Sequence, residues 1–109
     1  MLYVISSQNK HYKIGVAKSP IRRLKALQTA HPFRLAIAAV ADWPNSAERR
    51  IHSILRPYRL RGEWFRACDE LTELITAIQS GASFNEWVLS RPDAPRRLHH
   101  VLSMAAARP

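Results

Sequence analysis

The sequence is short of acid. Eight Asp and Glu residues stand against 17 Lys and Arg, a formal charge of +9 over 109 residues. That imbalance selects an anionic partner, nucleic acid first and an acidic membrane surface second. Cysteine is scarce too. Cys68 stands alone, so no internal disulfide and no cysteine-built zinc cluster can form, which fits a reducing cytoplasm. The five histidines show no metal-ligand spacing with one another. Long hydrophobic runs are missing: none reaches the roughly 18 residues of a membrane span. The apolar opening MLYVISSQNK has no basic stretch ahead of it and reads as a first strand rather than a signal peptide. Neither an internal repeat nor a low-complexity segment is visible. What the chain does contain is 47% hydrophobic residues. That is enough for a real core and argues against wholesale disorder.

The residues divide into strands and helices with clear punctuation. Leu2 to Ile5 is β-branched and aromatic, hence a strand, and His11 to Ala17 is a second one. The polar link Ser6 to Lys10 makes the pair an antiparallel hairpin. Gly15 inside the second strand marks a bulge or a close approach. Ser19-Pro20 starts a helix, with Ile21, Leu24 and Leu27 on its apolar side. Phe33 to Ala41 forms a buried third strand. Ser46 caps a second helix with Ala47, Ile51, Ile54, Leu55 and Tyr58 apolar. Arg59 to Phe65 is a connector, and Asp69 to Gln79 is a third helix closed by Ser80-Gly81. The expected fold is α+β: a small three-stranded antiparallel sheet flanked by helices. It occupies residues 1–80. Residues 81–109 are a helical C-terminal extension, one helix around Phe84 to Val88 and another from Asp93.

Several residues could carry chemistry. Arg22 points to solvent, and Arg23 lies on the flank of the apolar stripe, where its planar fork can reach a phosphate. An ordinary solvated Arg-Arg pair is the plainer reading. Glu48 and His52 share one helix face at i, i+4. A carboxylate there can hold a hard divalent cation, and a histidine can handle a proton; a surface Glu–His pair is the alternative. Lys18, Arg49 and Arg56 add positive charge suited to a phosphate backbone. In Gly62-Glu63-Trp64-Phe65 the aromatics anchor the core, and Glu63 either pairs with a nearby arginine or takes part in chemistry. Tyr3 and Tyr12 lie on neighbouring strands, and either hydroxyl could orient or deprotonate a water, or simply pack across the hairpin. Together these are the parts of a metal-assisted phosphodiesterase.

The order of parts resembles the GIY-YIG endonuclease superfamily. Leu2-Tyr3-Val4 is similar to its GIY motif, and Lys13-Ile14-Gly15 to YIG. Val16 to Leu24 is similar to the stretch that ends in the family's arginine, which falls on Arg23. KIG, the RRL helix, Glu48…His52 and GEWF resemble a phage and bacterial-type branch, over about residues 1–78. The resemblance implies a three-stranded antiparallel sheet and DNA cleavage with one divalent metal, Mg²⁺ or Mn²⁺. It implies Tyr3 for positioning or activating the water, with Lys13 at the second motif's tyrosine position. It further implies Arg23 for the charged phosphate, His52 for proton handling, and Glu48 as metal ligand with Glu63 in reserve. The first glycine of GIY is Met1 here and the tyrosine of YIG is Lys13. Tyr12 is one residue early and, by strand alternation, faces the opposite side.

These observations support a metal-dependent DNA endonuclease first. A nucleic-acid-binding module that keeps the fold without catalysis is second. DNA is the implied partner, with RNA left open. A third reading gives residues 82–109 an oligomer or docking role through Leu98, Val101 and Leu102.

Overall fold

The computed structural model describes residues 1–91. Two strands, β1 (Leu2–Ser7) and β2 (His11–Val16), form the expected hairpin, with Tyr3 paired to Gly15 and Ile5 to Lys13. Helix α1 (Pro20–Ala30) follows, then β3 (Leu35–Ala41) and α2 (Ser46–Ile54). A single 3-10 turn, Arg56–Tyr58, leads into β4 (Arg59–Arg61) and β5 (Trp64–Arg66). Helices α3 (Asp69–Gln79) and α4 (Phe84–Ser90) complete the described chain. The α+β class is as expected. The sheet, however, has five antiparallel strands in the order β3-β1-β2-β5-β4, not three. The segment read as a connector is a hairpin. Its strands are too short to show alternation, and Gly62 makes the turn with a φ of +57°, the left-handed backbone that two-residue hairpin turns favour.

Strand alternation gives the sheet two unequal cores. Leu2, Val4, Ile14 and Phe65 face α2, α3 and α4, where they meet Ala47, Ile51, Leu55, Leu71, Leu74, Ile78 and Trp87 in the larger one. Tyr12 packs against this side, as alternation requires. Tyr3, Ile5 and Leu35 face α1, with Leu24, Leu27 and Trp64 around them. In α4, Phe84 and Trp87 close on Trp43, with ring centroids 5.5 and 6.3 Å away. The helix expected from Asp93, with Leu98, Val101 and Leu102, lies outside the described residues. No helix among the described residues is long and apolar enough to cross a membrane.

Two local expectations are corrected. Ile21 does not face the core; it is 60% exposed. Pro20 is the buried residue of the first turn, and at about 100° per residue the inward stripe then runs through Pro20, Leu24 and Leu27. Ile21 lies about 100° off that line, while Arg23 stays about 60° to its other side. The Ser19 cap is present, its hydroxyl accepting from the Arg22 amide at 3.3 Å. Ser46 is not a cap: α2 starts with it, Asn45 holds the cap position, and no side chain bonds there. The Pro44 carbonyl takes the Ala47 amide instead, at 2.8 Å.

Candidate functional site

The site lies where the sheet splits. Strand β5 pairs with β2 only from His11 to Lys13. Beyond that point the Glu63 carbonyl accepts from the Ile14 amide at 3.1 Å, and the ladder ends. His52 then does what a strand would have done. Its Nε2 lies 2.9 Å from the Ile14 carbonyl oxygen. A carbonyl can only accept, so Nε2 is the donor, which leaves Nδ1 as the acceptor nitrogen of a neutral ring. The ring stands edge-on to Phe65 at 5.1 Å, which fixes its orientation. Residue 52 can reach this gap because it lies about 100° round α2 from the buried Ala47–Ile51 stripe, on the flank of the face that packs on the sheet.

Tyr3 is the centre of the arrangement. It is 1% exposed, on the face of β1 that looks toward α1. Gly15 across the hairpin makes room for it: a methyl group at residue 15 would fall 2.5 Å from the Tyr3 hydroxyl and 3.1 Å from Glu63 Oε1. Both oxygens therefore crowd one spot above a bare backbone. Burial, then the negative charge of Glu63, holds the Tyr3 phenol above its ordinary value of 10.0; Arg23 pulls it down, and Glu48 adds to the rise. Those three charges come from the β4–β5 turn, α1 and α2. The charges of residues 23, 48 and 63 thus all bear on residue 3 despite their separation along the chain.

Glu63 is held by Lys13, whose Nζ is 2.8 Å from Oε1 and also lies 5.8 Å from the centre of the Trp64 ring. Glu48 is half-buried, and among the described residues it enters no ion pair. Among these residues no group of three or more His, Cys, Asp or Glu is placed to hold a metal. A magnesium ion does not need one. It commonly binds through one or two carboxylates, several waters and substrate phosphates. Glu48 fits that mode better than Glu63, which already has its cation.

Beside Arg23 a cleft of about 330 Å³ is lined by Ala17, Lys18, Ser19, Arg22, Arg23 and Ala26. Three of the expected cations therefore share one recess. Arg49 and Arg56 are exposed and take no part in it. His52 touches β2 and Phe65 rather than Tyr3. One feature had not been singled out, and a second had been read only in part. His31, at the end of α1, stacks on Trp64 at 5.2 Å, a contact no local signal announces. Gly15 had been noted for a bulge or a close approach; it is a close approach, and its partner is the Tyr3 ring.

No curated protein and no solved structure matches the chain. The GIY-YIG resemblance is not upheld. No model of that superfamily matches; the one that does is the T5orf172 domain. The physical reason is visible at residue 13: the side chain that had been aligned with a motif tyrosine is a lysine committed to an ion pair with Glu63. Short matches such as KIG and RRL carry little information once the motif's own tyrosine is gone. The T5orf172 match covers residues 1–80 of 109 and so spans all five strands and the first three helices: the chain belongs to the T5orf172 domain family.

Proposed function

We propose that the protein is a divalent-metal-dependent DNA endonuclease whose active centre is the cluster around Tyr3. The T5orf172 family supplies the coarser frame, a nuclease-like, DNA-binding domain. The observation that carries the finer reading is the buried Tyr3 hydroxyl and the Glu63 carboxylate crowded over Gly15, with a cleft lined by Lys18, Arg22 and Arg23 nearby on α1. In this reading Lys18 and Arg22 hold the DNA backbone in the cleft, and the Arg23 guanidinium meets the phosphate to be cut. Water attacks phosphorus, the bond to the leaving oxygen breaks, and that oxygen takes a proton from solvent. Tyr3 is neutral at physiological pH, because its environment favours the phenol over the phenolate. It orients the water by hydrogen bonding and does not deprotonate it. His52, which does not touch Tyr3, would take the water's proton on Nδ1 through a bridging water, its other nitrogen being fixed on Ile14. Glu48 would hold Mg²⁺ or Mn²⁺, which when bound neutralises charge on the phosphate. Lys13 keeps Glu63 in place, and Arg49 and Arg56 add general attraction for the polyanion.

Nicking of supercoiled plasmid in Mg²⁺ or Mn²⁺ tests this. Wild type should nick, and Arg23→Ala and Glu48→Ala should each lose at least about a hundredfold in rate, the usual scale for one charge-stabilising group. No nicking by wild type, or equal nicking by Glu48→Ala, defeats the proposal. The second reading, a DNA-binding module without catalysis, is favoured by one contact: the Lys13–Glu63 pair at 2.8 Å neutralises a carboxylate at the centre of the site. It predicts salt-sensitive binding with no cleavage in any metal.

A further inference from the structure

The β4–β5 hairpin contains a feature the site does not use. All three residues of β4 are exposed: Arg59, Leu60 and Arg61. Leu60 is 46% exposed, one of few large apolar side chains to face water. Its backbone explains how. Arg59 pairs with Phe65 and Arg61 with Trp64, so β4 spends two steps where β5 spends one. Leu60 is the extra residue of a β-bulge, and bulges re-aim side chains next to functional sites. The bulge also separates the arginines. Cross-strand partners share a face, so Arg59 lies on the side of Phe65, toward the large core, and Arg61 on the side of Trp64, toward α1. The hairpin is therefore a ribbon with a guanidinium on each face and a leucine at its edge.

A free sheet edge is commonly blunted with charge and a bulge, and the arginines would suffice for that. A leucine aimed at water adds nothing to such protection. The ribbon is also stiffened: Arg59 Nε donates to the Gly62 carbonyl at 2.8 Å across the turn, and the Arg66 guanidinium lies 4.8 Å from the Tyr58 ring centre. Arginines flanking an apolar side chain suit the minor groove. There cations meet both phosphate walls, and an apolar wedge parts a base step.

We propose that Leu60, carried between Arg59 and Arg61 on the β4–β5 ribbon, is a wedge that enters the DNA minor groove and unstacks a base step beside the site. The substrate class that follows is DNA already distorted, such as a mismatch or a bulge. Leu60 is three residues before Glu63, at most about 10 Å of chain. That is within about three base-pair rises of the cluster around Tyr3. The inference rests on the DNA-binding reading of that cluster.

The experiment uses the full chain and a duplex carrying 2-aminopurine, whose fluorescence rises on unstacking. Wild type should raise the signal several-fold and bind a mismatched duplex at least roughly tenfold tighter than a matched one, since the cost of unstacking is already met there. Leu60→Ala should abolish both effects yet keep its affinity for matched duplex within a few-fold and its salt slope intact; Leu60→Met should restore them. Equal signal from Leu60→Ala, or no preference for the mismatch, overturns the wedge while salt-sensitive binding leaves the site's reading standing. An absence of DNA binding overturns both. Unstacking of an RNA duplex as strong as that of DNA also overturns the proposal, because the RNA minor groove is wide and shallow.

Discussion

The two ends of the sheet are built to different rules. Strands β1 and β3 run for six and seven residues without a charged side chain, and Leu2, Val4 and Ile5 are all at most 1% exposed. Strands β4 and β5 have three residues each; β4 is wholly exposed, and Phe65 is the one buried residue of the pair. One end is a scaffold, held by burial on both faces. The other is an appendage pinned by one aromatic ring. Site geometry depends on both, because Tyr3 belongs to the first and Glu63 to the turn of the second.

Removing the pin should have the largest effect on stability. Phe65→Ala deletes a fully buried ring that also orients His52, and should cost about 3–5 kcal/mol in urea unfolding. If the hairpin were held mainly by Lys13–Glu63, the cost would fall well under 2 kcal/mol (a large-to-small change away from the core). Gly15→Ala comes next and strikes the scaffold end. Its methyl would sit 2.5 Å from the Tyr3 hydroxyl. Destabilisation of about 1–3 kcal/mol is expected, with a larger loss of nicking than the stability change explains. Unchanged activity in a folded Gly15→Ala protein would separate Tyr3 from the chemistry.

The smallest effect is a pH dependence. In the folded protein Tyr3 ionises at a higher pH than when unfolded, by burial and by Glu63. Its neutral form therefore contributes stability that is present in full below about pH 10 and is lost as pH rises through the folded value. Denaturant midpoints should fall more steeply in that alkaline range for wild type than for Tyr3→Phe. Identical alkaline profiles would mean that the phenol is not electrostatically enclosed.

The scaffold end was legible because its signals are strong and local. A run such as Leu2 to Ile5, a serine–proline pair at residues 19 and 20, and helical spacing through Leu71, Leu74 and Ile78 each point to one structure. The hairpin was not legible as strands, since three residues contain no period. The placement of Ile21 failed for a related reason: apolar spacing alone did not reveal that Pro20 would take the inward position. At the site, Tyr3, Arg23, Glu48 and Glu63 could each be named from residue type and spacing, while the Lys13–Glu63 and His31–Trp64 contacts depend on register across the sheet. The superfamily named from short motifs was the wrong one.

The pairing of Ile14 with Glu63 and the crowding of Tyr3 against the same residue have a consequence for the order of events during synthesis. The first hairpin and α1 can form while the chain is still being made. The cluster cannot, because its last member is the sixty-third residue and is held by a ring at the sixty-fifth. A ribosome-bound fragment that ends before Phe65 therefore contains the first hairpin and α1 and no assembled centre. Any nuclease activity would be withheld until the hairpin has emerged and docked, and would be lost again whenever that short hairpin opens ahead of the rest of the domain.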